Sequence, residues 1–189
     1  MHSTINRKHR TRNTKQGTRN ILSLSVDFSD RQVKKTTLTP HAAYLKISNW
    51  CAYQERSQQE TRKKLYEYGL PAQEVEQIIA TLIEENFLNE ERFALALAGG
   101  KFRIKHWGRI KIKLELKKHG ISDYLINKAL KAIGSSDYVN TLKQVAEKKL
   151  ATVKGNDRRK LFYTTLSYLV SRGFESDLAA EQLNQLLEK

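Results

Sequence analysis

At 189 residues the chain is long enough to bury a working core, either as one domain or as a short array of small modules. Only 9 Gly and 2 Pro accompany 39% hydrophobic and 29% charged residues, a balance that favours a helix-rich soluble protein over a turn-rich all-β one. The single cysteine, Cys51, excludes an intramolecular disulfide or a cysteine metal cluster. No apolar run approaches the roughly 18–20 residues of a membrane span, and the N-terminus lacks the apolar core of a signal peptide. A cytoplasmic protein with no membrane association and no cofactor is expected.

The net charge of +14 is unevenly placed. Residues 1–40 carry nine Lys/Arg against Asp27 and Asp30, and residues 101–118 carry eight against Glu115 alone; the rest of the chain is balanced. Two cationic patches on a neutral body imply a polyanionic partner, because Lys/Arg that neutralise phosphates release condensed counterions. Nucleic acid, or a protein coated on it, is the natural candidate.

In chain order, residues 1–20 are basic and poor in apolar side chains, which predicts a flexible arm. Leu22, Leu24, Val26 and Phe28 then alternate with polar residues, the period of a short strand, and Pro40 marks the end of the arm. Cys51 lies among Tyr44, Leu45, Ile47, Trp50 and Tyr53 and reads as a buried, inert thiol.

From His41 onward the signals are helical and recurrent. Gly69-Leu70, Gly120-Ile121 and Gly173-Phe174 are 51 and 53 residues apart. Four residues before each glycine stands Leu65, Leu116 or Leu169. After it come Val75, Ile126 or Ala179, then Ile79, Leu130 or Leu183, then Leu82, Ile133 or Leu186. These follow at 6, 10 and 13 residues, one stripe of a helix. Each glycine reads as a left-handed helix stop between two helices. Ser57-Gln58-Gln59-Glu60 forms a capping box, Pro71 sits near a first-turn position, and Asn89, Ser122 and Asp137 are plausible N-caps. With a preceding helix over about 41–54, 89–104 and 137–153, each unit becomes a three-helix bundle.

The expected fold is therefore all-α: three tandem three-helix repeats over 41–88, 89–136 and 137–189, forming an elongated curved array after a basic arm over 1–40. Ile110 to Leu116 alternates strictly, as a strand would, but the repeat alignment makes it helical. Its apolar residues then fall on two faces, which predicts that the middle repeat packs against neighbours on both sides while its lysines fill what remains. Gly99-Gly100 predicts a bend or break in the helix that contains it.

Asn89-Glu90-Glu91-Arg92-Phe93-Ala94 after Asn86-Phe87-Leu88, then Trp107-Gly108-Arg109-Ile110, then Leu116-Lys117-Lys118-His119-Gly120-Ile121 resemble the central signature of the RecX family. Ser57 to Leu70 and Val75 to Leu88 are similar to that family's opening motif. The resemblance covers about residues 41–189. It implies three-helix repeats that bind in the groove of the RecA–DNA filament and inhibit the recombinase's ATPase, strand exchange and repressor cleavage. The chain departs from the commoner pattern where His106-Trp107-Gly108 replaces a Gly-Pro loop, and in its long basic arm.

A filament binder of this kind needs cations for phosphate or acidic surfaces. The candidates are Lys101, Arg103, Lys105, Arg109, Lys111, Lys113, Lys117 and Lys118, with Arg158, Arg159 and Lys160 as a lesser patch. Trp107 either stacks on a base or anchors in a partner pocket, or staples helix ends together. Phe93 reads as core, and Glu90, Glu91 and Arg92 as a helix-start network. The five histidines show no ligand spacing and no Gly-rich phosphate loop is present, so no catalytic role is expected. The partners expected are a RecA nucleoprotein filament and single- or double-stranded DNA, bound by a monomer; the competing reading is a basic helical DNA- or RNA-binding module independent of RecA.

Overall fold

The computed structural model describes residues 37–188, and among these it contains helices and no strand. The basic run over 1–36 and the alternating segment from Leu22 to Phe28 lie outside the described residues. The helices are α1 (Pro40–Tyr53), α2 (Gln58–Glu67), α3 (Ala72–Glu84), α4 (Glu90–Lys105), α5 (Arg109–Lys118), α6 (Asp123–Lys131), α7 (Ser135–Leu150), α8 (Arg158–Ser171) and α9 (Ser176–Leu187). Their principal contacts fall within three triplets, α1–α3, α4–α6 and α7–α9.

Local chemistry explains the boundaries. Thr39 caps α1, its hydroxyl accepting from the Ala42 N–H at 3.3 Å, and Pro40 occupies the first turn, where a missing N–H costs nothing. Residues 37–39, expected within the arm, are held instead: the Leu38 N–H donates to the Tyr68 carbonyl at 3.0 Å. Ser57 and Glu60 form the reciprocal capping box of α2. Asn89 and Ser122 cap α4 and α6 as expected. Asp137 does not cap α7, which starts at Ser135 after Gly134 and leaves Asp137 inside the first turn, where its charge still suits the helix dipole.

The three repeat glycines have φ of 86°, 76° and 89°, the left-handed conformation that stops α2, α5 and α8. In the second and third units the next residue's N–H turns back to the aligned leucine, Ile121 to Leu116 at 3.3 Å and Phe174 to Leu169 at 3.1 Å. In the first unit a hydrogen bond from Leu38 takes up the Tyr68 carbonyl. The aligned leucines Leu65, Leu116 and Leu169 are all fully buried, as are Val75, Ile126 and Ala179.

Two cores result. One lies within α1–α3, around Ile47, Leu65, Val75 and Leu82, and includes Cys51. Burial pushes the Cys51 thiol above its ordinary pKa, only partly offset by the nearby Thr61 hydroxyl, which keeps it protonated and unreactive. The other core runs unbroken through α4–α9, with Phe102, Ile112, Leu116, Tyr138, Leu142 and Phe174 at its centre.

The expected break in α4 does not occur, and one apolar face of α5 stays open. Helix α4 passes through Gly99-Gly100 without a break, its packing on α5 and α6 outweighing the roughly 1 kcal/mol lost at each glycine. Helix α5 is helical despite its alternation, but only one apolar face packs. Ile112 and Leu116 are buried, while Ile110 and Leu114 are 47% and 56% exposed, so no second layer covers them.

Candidate functional site

The corner between α4 and α5 is set by three residues. His106 ends α4 in the left-handed conformation, φ 50°, and the Trp107 N–H returns to the Lys101 carbonyl at 3.2 Å. Gly108 then starts α5 where the backbone meets that of Gly173. The Gly108 N–H donates to the Arg172 carbonyl at 2.9 Å and the Ile110 N–H to the Gly173 carbonyl at 3.0 Å. A Cβ on Gly108 would stand 2.1 Å from the Gly173 carbonyl group, so no side chain fits. The second and third units are therefore joined backbone to backbone.

Several of the sequence-derived cations are occupied within the protein. Lys101 pairs with Glu115 at 3.4 Å and lies 4.6 Å from the Trp107 ring centroid. Lys111 lies 4.8 Å from the same ring and donates to the Ser171 carbonyl at 3.2 Å. Trp107 is thus flanked by two ammonium groups and packed on the larger core, which favours the stapling role over a free stacking face. The Arg109 guanidinium covers the buried Tyr138 ring at 4.0 Å and reaches the Ile133 carbonyl at 3.4 Å.

The others face solvent. Lys105, Lys113, Lys117 and Lys118 are exposed; Lys117 has a 3.4 Å contact with Asp123 and Lys118 a 3.5 Å contact with Glu115. Partial burial alone would raise the Glu115 pKa, but Lys101 and Lys118 draw it below the ordinary carboxylate value, so it stays ionised among the lysines. A groove lined by Trp107, Lys111, Leu114, Lys117 and Lys118 runs along α5, with Glu115 as its one acid. Glu115 also borders a second groove of about 560 Å³ with Lys101, Lys105, Ile104 and His119, where Arg56 and the acids Glu55 and Glu60 join them. Three lysines thus share the α5 groove with one carboxylate, beside the exposed Leu114, whereas Lys101 and Lys105 lie in a groove that holds three acids.

Not every candidate joins this face. Arg103 lies on the α4–α6 side, near Asp137, its guanidinium folded over Gly99. Arg158, Arg159 and Lys160 open α8 in the third unit, exposed beside Phe162 and Tyr163, with Arg158 4.0 Å from Glu188. Three cations in a first turn oppose the helix dipole, and Asp157 as N-cap offsets only part of that cost.

Sequence reasoning passed over the junction between the first and second units. Arg92 donates from Nε to Glu55 at 2.9 Å and from Nη1 and Nη2 to Asn86, whose backbone is left-handed at φ 60°. The His119 Nδ1 lies 3.4 Å from the Ser57 hydroxyl and 3.9 Å from Glu60, while its ring meets Phe93 edge-on. A capping box and a helix-end histidine gave no hint that they touch across 62 residues. Phe93 is core, as expected. Among the described residues no group of three or more His, Cys, Asp or Glu is placed to hold a metal, and no helix is long and apolar enough to cross a membrane.

Fold and face together define an all-α helical-repeat protein with a lysine-rich surface on its second unit. Residues 43–82 match the family model described as "RecX, first three-helix domain" and residues 89–130 that described as "RecX, second three-helix domain". The regulatory protein RecX of Prosthecochloris aestuarii is 32% identical over 135 residues, 70% of this chain and 85% of that protein. The regulatory protein RecX of Clostridium perfringens (strain 13 / Type A) is 32% identical over 124 residues, and the match covers 65% of this chain and 58% of that protein. The crystal structure of RecX from Lactobacillus salivarius superposes with a TM-score of 0.71 at 24% identity, covering 79% of this chain and 96% of that one. The chain belongs to the RecX family of regulatory proteins.

Proposed function

We propose that this protein regulates RecA without catalysing a reaction of its own, binding the RecA–DNA filament in the cytoplasm as a monomer and inhibiting its ATPase, strand exchange and co-protease activity. The reading takes the partner from the family and the contact surface from the face of α4 and α5. The observation that carries it is the groove along α5, where Lys111, Lys117 and Lys118 gather around Glu115 as the one acid, beside the exposed Leu114. Lysines supply phosphate contacts, and exposed apolar side chains supply contacts to protein. Lys105, Lys113, Lys117 and Lys118 are the proposed contacts; Lys101, Lys111, Arg109 and Trp107 hold the face in shape. Units over 41–88, 89–136 and 137–189 act together in this proposal, the arm over 1–40 and the α8 cations Arg158, Arg159 and Lys160 adding to DNA affinity.

The test is inhibition of the ATPase of a preformed RecA filament by the full chain. Inhibition at amounts well below the DNA concentration is the expected result. Inhibition only when the protein saturates the DNA would establish instead a nucleic-acid-binding module with no RecA role. A variant with Lys105, Lys113, Lys117 and Lys118 all changed to Gln should lose inhibition, and its DNA-binding salt slope should fall by roughly 0.7–0.9 for each phosphate contact removed. Inhibition equal to the parent's would remove this face from the site.

A further inference from the structure

A second basic recess lies apart from the α5 groove, where the C-terminal ends of three helices meet. Its volume is about 320 Å³, within the lower range of small-ligand sites. His106, the left-handed cap of α4, lines it together with Lys148 and Lys149 from the last turn of α7, Arg172 at the end of α8, and the residues Thr152 and Tyr168. No carboxylate lines it.

Cations near helix C-termini have an ordinary role in complementing the dipole, and Arg172 does serve α4 by donating from Nη2 to the Lys105 carbonyl. That role does not account for the rest. Three permanent cations and a histidine share one recess with no acid to balance them. No acidic partner within ion-pair distance of Lys148, Lys149 or Arg172 occurs among the described residues, and Lys149 rests 5.3 Å from the Tyr168 ring. The Arg172 Nε and the His106 Nδ1 are both buried with no hydrogen-bond partner. Buried polar atoms left in this way are uncommon in folded proteins and ask for a missing partner. Thr152 is already engaged, donating to the Lys149 carbonyl at 2.7 Å. The remaining side-chain groups of His106, Lys148, Lys149, Tyr168 and Arg172 can all donate, which suits a ligand that is anionic and rich in acceptors. A phosphate group, with its tetrahedral set of oxygens, meets that demand better than a planar carboxylate.

We infer that this recess binds a phosphate group, carried either by DNA backbone or by a free nucleotide. Lys148 and Lys149 supply most of the attraction; Arg172 and His106 fix the anion in place. The site does not rest on the RecA reading, and either can fail without the other.

The test follows the imidazole ¹⁵N resonances of His106 in the full chain, assigned with His106→Asn, a residue that tolerates the left-handed cap. Sodium phosphate, dTMP and the oligonucleotide (dT)8 are titrated separately at constant ionic strength against sodium chloride. Saturable shifts of His106 with phosphate are expected, and Lys148→Gln/Lys149→Gln should weaken the affinity at least tenfold while leaving the melting curve intact. Lys131→Gln/Lys154→Gln, the same charge loss on exposed lysines elsewhere, should bind as the parent does. Shifts with (dT)8 that phosphate competes away identify DNA as the source; shifts with phosphate and dTMP but not (dT)8 identify a nucleotide. If no phosphate compound moves His106 beyond the chloride control, or if both double variants lose affinity equally, the site does not exist.

Discussion

Gly108 and Gly173 meet backbone to backbone where α5 begins against the end of α8. Gly173 serves twice: its φ of 89° stops α8, and a Cβ there would meet the Lys111 Cβ at 2.3 Å. Gly108→Ala should therefore destabilise at or above the top of the ~1–3 kcal/mol range for overpacking, measured by denaturant unfolding. An unchanged midpoint would show that the two backbones are not in contact. Tyr138 bridges the same two units, its hydroxyl accepting from the Arg109 N–H at 3.0 Å and donating to Glu175 at 2.5 Å. Burial, reinforced by Glu175, raises its phenol far above the ordinary value, with the Arg109 contacts offsetting part of that. Because the folded state holds the proton more tightly than the unfolded chain, this contribution is complete below pH ~10 and is lost as pH rises from there. Stability should fall more steeply in the parent than in Tyr138→Phe above that pH, by up to ~1.4 kcal/mol per pH unit. At neutral pH the same variant should cost about 1 kcal/mol, since it removes two hydrogen bonds to part-buried groups. The repeat glycines were legible because their spacing recurs; Gly108 was not, since its need arises only from a backbone 65 residues further on.

Helix α4 shows how packing overrides propensity. Its two glycines weaken an isolated helix, yet contacts with α5 and α6 keep it whole from Glu90 to Lys105. A Cβ on Gly100 would meet open space, so Gly100→Ala should raise stability by about 1 kcal/mol, read as a higher denaturation midpoint. A decrease would mean that the helix bends there in solution. Helix α5 shows the opposite limit: its alternation suits a strand, and the helix forms because Ile112 and Leu116, four residues apart, reach the core together. The same geometry leaves Ile110 and Leu114 outside among lysines, which is what gives the face its mixed apolar and cationic character.

At the scale of the whole described chain, the cores are divided unequally, one for α1–α3 and one shared by α4–α9. The first unit is coupled to the rest chiefly through polar contacts, the Arg92 clamp on Glu55 and Asn86 and the His119 contact with Ser57. Arg92→Ala should therefore increase hydrogen exchange in α1–α3 about tenfold, an effect of ~1.4 kcal/mol, and leave α4–α9 nearly unchanged. Equal changes in both would show a single cooperative unit.

The sequence by itself determined the helical class, the glycine stops and the buried stripe, because these depend on residues within a turn or two of one another and recur at a fixed interval. It also marked two seats of the excess charge, residues 1–40 and residues 101–118 of the second unit. Only the tertiary structure decided which cations are free, because Lys101, Lys111 and Arg109 find their partners on other helices. It alone brought His106, Lys148, Lys149 and Arg172 to one recess, since helix ends far apart in sequence meet only once the cores have packed.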